Sequence, residues 1–336
     1  MTQKTAVLLV NLGTPDSASK KNVRKFISEF LNDARVIDIP LILRKLLVNL
    51  IIVPFRTPKS AKLYQKLWTD NGSPILTYGI SLNKKLNNLL DDKQEAFIAM
   101  RYGNPNLKKV LNQIKEKHFS KIVILPLFPQ YASSTTGSIV EKIMIIIRKW
   151  NYIPEIKIIS EFYQHPNFIN SWIDQIRKHN IADFDQILFS YHGLPKRHVE
   201  ITHNKKSCDN LNCKNEINKV NHSCYQAQCY ETTRLIAKQL NLDEKNYTVC
   251  FQSRFGKKWL SPFTEDIILN EAKKGSKKLL VIPAAFVADC LETVVEIGED
   301  YQDLFVLHDG EKVQMVESLN DNNMWVDTVK EIIFSR

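Results

Sequence analysis

No apolar run in this chain reaches the roughly 18 residues that a membrane-spanning helix needs. The start does not resemble a secretory signal either, since Met-Thr-Gln-Lys leads straight into the apolar residues 6–10. Zinc-finger, RNA-binding and helix-turn-helix signatures are missing, so nucleic acid is not an expected partner. These absences leave the cytoplasm as the expected location. A composition of 44% hydrophobic and 24% charged residues fits an ordinary globular protein. At 336 residues the chain is too long for one typical core and about right for two domains.

Charge is unevenly spread. The net charge is +10, and residues 1–60 hold ten basic against four acidic residues. Such a surface can attract an anionic membrane or an acidic small molecule, although solubility alone accounts for it equally well.

Strand and helix signals alternate. Apolar runs at 6–10, 96–100, 121–128 and 155–160 read as strands, with helical patterns at 20–31, 106–117 and 138–150. The rhythm repeats with strands at 186–190, 247–251, 278–283 and 312–317, and helices at 226–240, 262–274, 290–300 and 323–334. This predicts an α/β fold of two Rossmann-like, doubly wound domains facing across a cleft. The expected domains are 1–160 and 161–318, with 319–336 a C-terminal helix packing back on the first. A faint echo aligns Val7-Leu8-Leu9-Val10-Asn11-Leu12-Gly13-Thr14-Pro15 with Ile187-Leu188-Phe189-Ser190-Tyr191-His192-Gly193-Leu194-Pro195. One nine-residue match does not by itself establish a duplication. The stretch 41–55, from Leu41 to Phe55, breaks the rhythm, being apolar with a basic pair at Arg44 and Lys45. It can lie on a membrane, wall an apolar pocket or form a buried core helix.

The chemistry concentrates at strand ends, where ligands bind in open parallel sheets. The run 187–195 delivers His192 at such an edge, and imidazole is the side chain best suited to taking a proton near neutrality. A second group is Ala288-Asp289-Cys290-Leu291-Glu292-Thr293-Val294-Val295-Glu296, in which Glu292 and Glu296 lie four apart on one helix face. Two such carboxylates can bind a divalent metal or pass protons, and Asp289 can simply cap the helix. Hydroxyls crowd the turn Tyr131-Ala132-Ser133-Ser134-Thr135-Thr136-Gly137-Ser138. With Arg101-Tyr102, Arg56 and Lys258-Trp259, they describe a site for a large planar acid.

Four of the six cysteines fall together, as Cys208-x4-Cys213-x10-Cys224-x4-Cys229. Their Asn-, Lys- and His-rich surroundings show no hydrophobic period, so the loop, about 203–229, needs a staple. In a cytosolic protein clustered thiols point to metal rather than disulfides, which leaves zinc or a [2Fe–2S] cluster. The spacing is not the usual zinc Cys-x2-Cys and favours iron–sulfur. His203 and His222 are alternative ligands but read as surface residues, and Cys250 reads as core.

The chain resembles the ferrochelatases. The resemblance rests on Val10-Asn11-Leu12-Gly13-Thr14-Pro15, Phe55-Arg56-Thr57-Pro58, Asn71-Gly72-Ser73-Pro74, Met100-Arg101-Tyr102-Gly103-Asn104-Pro105 and Pro129-Gln130-Tyr131-Ala132-Ser133-Ser134-Thr135-Thr136. It continues through Phe189-Ser190-Tyr191-His192-Gly193-Leu194-Pro195, Gln252-Ser253-Arg254-Phe255-Gly256, Trp259-Leu260-Ser261-Pro262 and Ala288-Asp289-Cys290-Leu291-Glu292-Thr293. It implies a lyase that inserts ferrous iron, its metal substrate, into protoporphyrin IX in the last step of haem synthesis. It further implies that His192 is the active-site histidine, Glu292 its metal-site partner and Glu296 part of the same acidic track. Leu12, Arg56, Ser73, Arg101, Tyr102, Tyr131, Trp259 and Phe286 become expected porphyrin contacts. Certain bacterial members carry a [2Fe–2S] cluster in an internal segment like that of Cys208, Cys213, Cys224 and Cys229. Cys290 stands where many members have histidine, which puts in doubt a proton relay at that position. The rival readings are a chelatase for another tetrapyrrole, such as one inserting cobalt into a corrin precursor, and a non-catalytic carrier.

Overall fold

The computed structural model describes residues 4–334, so the outermost residues of the expected domains, 1–3 and 335–336, lie outside the described residues. Strands β1 (Thr5–Thr14), β2 (Gln94–Gly103), β3 (Lys121–Pro126) and β4 (Glu155–Ile158) form one sheet in the order β2-β1-β3-β4. Strands β5 (Gln186–His192), β6 (Tyr247–Gln252), β7 (Lys278–Ile282) and β8 (Lys312–Met315) form a second, in the order β6-β5-β7-β8. Every pairing is parallel. The eight strands coincide with the eight apolar runs of the sequence, and the fold is α/β.

Two compact units contain these sheets. The first comprises the chain up to Phe128, Ser133–Ser160 and the chain from Asp321 onward; the second comprises Pro129–Ala132 and Glu161–Asn320. The two strand orders are the same, and β1 and β5 occupy the same place in them. The faint sequence echo therefore falls on equivalent strands.

Continuous apolar runs, rather than alternating ones, suit strands covered on both faces. Ala6, Val7, Leu8, Leu9 and Val10 are all fully buried, as are Leu188, Phe189 and Tyr191. One face of the first sheet packs on Leu107, Leu111, Ile139 and Ile143 from the helices Leu107–Glu116 and Ser138–Ile147. The second core joins Leu188 and Cys250 to Ile268, Ile297 and Phe305. At the end of β1 the chain comes so close to β2 that a Cβ on Gly13 would lie 1.8 Å from the Tyr102 carbonyl oxygen, and φ there is +118°. Only glycine fits such a place.

Residues 41–67 form one long helix, α-helical at Leu41–Leu46 and Val53–Leu67 and π-type between, at Leu47–Ile52. It is not the buried core helix that the sequence allowed. Arg44 is turned inward, donating to the carbonyls of Ile37 (3.2 Å) and Ile39 (2.9 Å), while Ile42 and Phe55 are 73% and 81% exposed. Leu41, Leu43, Leu46, Leu50 and Ile51 are exposed beside them.

The last helix, Asn323–Phe334, packs on Pro74–Leu89 within the first unit. Asp321 anchors it, accepting from Ser81 (2.5 Å) and pairing with Lys85 at 2.9 Å. Trp325, Val329 and Ile333 are buried. Removing a buried aromatic leaves a cavity that the surroundings only partly fill. Trp325→Ala should therefore lower the unfolding free energy by about 3–5 kcal/mol in denaturant titrations. A loss below about 1 kcal/mol would show that this helix does not help hold the first unit together.

Candidate active site and metal-ligand cluster

His192 is the last residue of β5, half-buried and opposite Gln252 of β6 in register. Its Nδ1 lies 2.6 Å from the Gly193 carbonyl oxygen. A carbonyl only accepts, so Nδ1 carries a proton, and in the neutral ring the lone pair is on Nε2. Gly193 makes the arrangement possible: its N–H donates to the Gln252 carbonyl (2.8 Å), and a Cβ there would lie 2.7 Å from that oxygen. The ring of Phe286 stands 6.5 Å from that of His192, and Trp259 comes within van der Waals reach of Gly193. The carbonyl of His192 accepts from Tyr225 at 2.9 Å. Histidine, phenylalanine and tryptophan thus gather at one strand edge of the second unit.

Glu292 and Glu296 lie on a helix, as the sequence predicts, but one of wider π type, Glu292–Tyr301. Its i→i+5 spacing stacks Tyr301 on Glu296. Glu296 is fully engaged, accepting from Tyr301 (3.0 Å), the Ser253 N–H (2.8 Å), the Ser253 hydroxyl (2.5 Å) and Gln252 (3.2 Å). All four groups are donors, the complement of a carboxylate. Burial and the Glu296 charge push the Tyr301 phenol far up, so it remains a donor. Gln252 also donates to the Glu292 backbone carbonyl (2.9 Å) and accepts from Ser190 (2.8 Å). One amide side chain thus ties β5, β6 and the acidic helix together. Glu292 itself is half-buried, with the Cys290 thiol as a side-chain hydrogen-bond neighbour. Burial, with Glu292 nearby, pushes that thiol well up, so Cys290 can donate to Glu292 but does not ionise as a relay would require.

The expected porphyrin contacts divide between the units. In the second, Trp259, Phe286 and Tyr131 are half-buried, and the Tyr131 N–H donates to Gln228 (2.6 Å). In the first, Arg56 is exposed and Leu12 half-buried. Ser73, Arg101 and Tyr102 have partners of their own. Ser73 is buried, accepting from Thr14 at 2.9 Å. Tyr102 is fully buried, with its hydroxyl on the Asp33 node. Asp33 accepts from Arg101 (2.5 Å), Tyr102 (2.8 Å), Ser138 (2.6 Å) and the Arg35 N–H (2.8 Å). Burial raises the Asp33 pKa, but the hydrogen bonds from Ser138 and Arg35 and the Arg101 charge outweigh it and hold it below the usual carboxylate range. Sequence proximity to a strand end suggested ligand contact for this Arg-Tyr pair; Asp33, a distant helix-end residue, is the partner that the sequence did not reveal.

The cysteine loop brings together a different set of donors from the one expected. The donor atoms of His203, Cys208, Cys213 and Cys224 all lie within 4.8 Å of one another, and all four residues are buried. His203 is not a surface residue: it is 3% exposed, with Nε2 3.7 Å from the Cys208 sulfur. Left-handed backbone at Asn204 and Lys205 turns the chain so that Cys208 meets it. With no apolar core, the loop is organised by the buried Asn221, which donates to the carbonyls of Leu211 (3.1 Å) and Glu216 (2.9 Å) and accepts from the Asn218 N–H (2.7 Å). Hydrogen bonds from Cys208 and Cys224 push the Cys213 thiol down, whereas Cys208 is pushed up by its two thiol neighbours. Cys229, expected as a ligand, is not in the group. It sits fully buried on the helix Tyr225–Gln239 with Tyr225 as its hydrogen-bond partner. The spacing His203-x4-Cys208-x4-Cys213 is the sequence signal for His203, and its polar surroundings made it read as a surface residue. Three thiols and one imidazole gathered within reach of a single ion do not fit a [2Fe–2S] cluster, whose four thiolates sit in two pairs on separate irons.

A sequence model of the family described as ferrochelatase matches residues 4–336. The ferrochelatase of Coxiella burnetii (strain RSA 493 / Nine Mile phase I) is 42% identical over 333 residues, covering 98% of this chain and 93% of the relative. That of Legionella pneumophila (strain Lens) is 42% identical over 334 residues, covering 98% of each. Among solved structures, SirB from Bacillus subtilis with Fe3+ superposes with a TM-score of 0.53 at 10% identity, over 98% of this chain and 96% of that one, a likeness of fold. The class is that of the chelatases, built on two parallel four-stranded α/β sheets. Within that class the chain belongs to the ferrochelatase family.

Two outcomes follow from the hydrogen-bond geometry. Glu296→Gln turns an amide NH2 toward groups that can only donate to it or that already donate, and should lower the unfolding free energy by about 2 kcal/mol. Unchanged denaturant stability would mean that these donors do not hold the carboxylate. Asp33 is the acid-sensitive point of the first unit. Because its folded pKa is depressed, its stabilisation is present above the ordinary carboxylate pKa near 4 and is lost as pH falls through the lower folded value. Asp33→Asn should flatten the stability–pH curve in that acid window, and an unchanged slope would contradict the assignment.

Proposed function

We propose that the chain acts as a ferrochelatase through the strand-edge site of the second unit, inserting ferrous iron into protoporphyrin IX as the last step of haem synthesis. The reaction exchanges two pyrrole N–H protons for iron; the metal keeps its oxidation state, and two protons must be carried away. His192 is the group to receive them. The observation that carries this reading is the contact of Nδ1 with the Gly193 carbonyl, which in the neutral ring puts the lone pair on Nε2 at the strand edge. Glu292, with a thiol neighbour rather than a set of donors, is the carboxylate free to meet the incoming iron or take protons onward. Glu296, held by four donors, fixes the helix behind it and orients the track. Phe286 and Trp259 offer flat apolar surface, the kind that holds and bends a planar macrocycle. Leu12, Arg56 and Tyr131 complete the set of contacts we assign to the porphyrin.

No helix among the described residues is long and apolar enough to cross a membrane. The exposed leucines, isoleucines and Phe55 of residues 41–55, together with Lys45, suit peripheral contact with a membrane surface, which would bring an apolar porphyrin close. We place the protein in the cytoplasm, in part at the inner face of the membrane. Of the two resident groups that the cysteine loop left open, zinc is favoured, for the reasons in the next section. The cobalt-inserting rival draws support only from fold likeness at 10% identity, against 42% identity with ferrochelatases.

Anaerobic insertion assays test the assignment. His192→Ala should lower the insertion rate by about 100-fold or more while porphyrin binding, followed by absorbance, persists. Insertion at a near wild-type rate in the folded variant would remove His192 from the chemistry.

A further inference from the structure

We propose that His203, Cys208, Cys213 and Cys224 bind one tetrahedral zinc ion, and that Cys229 is not a ligand. The proposal goes beyond the chelatase reading and does not depend on it. Its first ground is distance. Zinc–sulfur bonds of about 2.3 Å in a tetrahedron put sulfurs about 3.8 Å apart, and a zinc–nitrogen bond of about 2.0 Å puts that nitrogen about 3.5 Å from each sulfur. The Cys208 and Cys224 sulfurs are 3.8 Å apart, and His203 Nε2 is 3.7 Å from the Cys208 sulfur. All four donor atoms lie within 4.8 Å of one another, the spread of ligands around a single ion. A two-iron cluster holds its protein ligands in two pairs on separate metals, which sets the pairs farther apart.

The second ground is chemistry. Three thiolates and one imidazole form a closed set of four, and closed Cys3His sets are structural zinc sites. His203 is buried, and its other nitrogen, Nδ1, has no partner among the described residues, so nothing else in the fold accounts for the inward placement of this ring. The loop around it has no apolar core, and a metal supplies the cross-link that such a loop lacks.

The third ground is that Cys229 is engaged elsewhere. Cys229 is fully buried and hydrogen-bonded with Tyr225, whose hydroxyl also donates to the His192 carbonyl at 2.9 Å. Cys229 thus belongs to the support of His192. Cys224, the ligand immediately before Tyr225, connects the metal loop to that support through one peptide bond.

Metal and acid-labile sulfide should be measured on the full chain, together with the His203→Ala, Cys213→Ser, Cys229→Ser and His192→Ala variants. The expected result is about one zinc per chain and no sulfide, unchanged in Cys229→Ser and in His192→Ala, which separates the ion from substrate metal. Cys213→Ser should lose the ion, and His203→Ala should release it to a chromophoric chelator at least tenfold faster than wild type. Should His203→Ala fail to fold, His203→Cys should retain zinc and shift the absorption of the cobalt-substituted protein toward that of a four-thiolate site. Two irons and two sulfides per chain, loss of metal in Cys229→Ser, a metal-free wild type, or release from His203→Ala at the wild-type rate would each overturn the proposal.

Discussion

The hydrogen bond from His192 Nδ1 to the Gly193 carbonyl is the constraint on which the second unit's chemistry depends. It exists because the chain bends immediately after β5, and the bend exists because residue 193 lacks a Cβ and can press against Gln252. The neighbouring bonds maintain this edge. Tyr225 holds the His192 carbonyl from one side, and Gln252 reaches from the partner strand to the backbone of Glu292 and the carboxylate of Glu296. In the function we propose, the Nε2 lone pair of the neutral His192 ring and the carboxylates of the helix Glu292–Tyr301 are thereby set by backbone geometry, the condition for a site held ready before its substrate arrives.

The first unit has the same strand order, but its strand edge is used differently. Where β5 ends in an imidazole, β1 ends in Asn11-Leu12-Gly13-Thr14, with Gly13 pressed on the carbonyl of Tyr102. Arg101, Tyr102 and Ser138 converge on Asp33 and form a buried polar node rather than a reactive one. Breaking a buried charge pair is costly, since it strands the remaining partner. Of the other expected porphyrin contacts in this unit, Leu12 is half-buried and Arg56 is exposed on the long helix, whose apolar outer face is open.

Much of this was legible in the sequence because parallel strands covered on both faces read as unbroken apolar runs. All eight strands lie where those runs predict, and the edge position of His192 follows from its Ser-Tyr-His-Gly setting. The helices Pro74–Leu89 and Pro166–Ile176 were harder to see, because asparagine and other polar residues interrupt their apolar stripe. The π-type widening at Glu292–Tyr301 has no local signature: Glu292 and Glu296 look like any i, i+4 pair until Tyr301 is seen to meet Glu296. Burial of Tyr102 and Ser73 depends on Asp33 and Thr14, partners distant in sequence. The ligand role of His203 depends on two left-handed residues, Asn204 and Lys205, which composition does not mark.

The protonation of the His192 ring tests the account most directly. Long-range 1H–15N correlation spectra of the 15N-histidine-labelled protein, with the His192 signals identified by their loss in His192→Ala, separate a protonated ring nitrogen from a bare one. The account predicts the neutral form with the proton on Nδ1 and the lone pair on Nε2. A neutral ring protonated at Nε2 would contradict it, because no acceptor would then face the pyrrole protons that must leave.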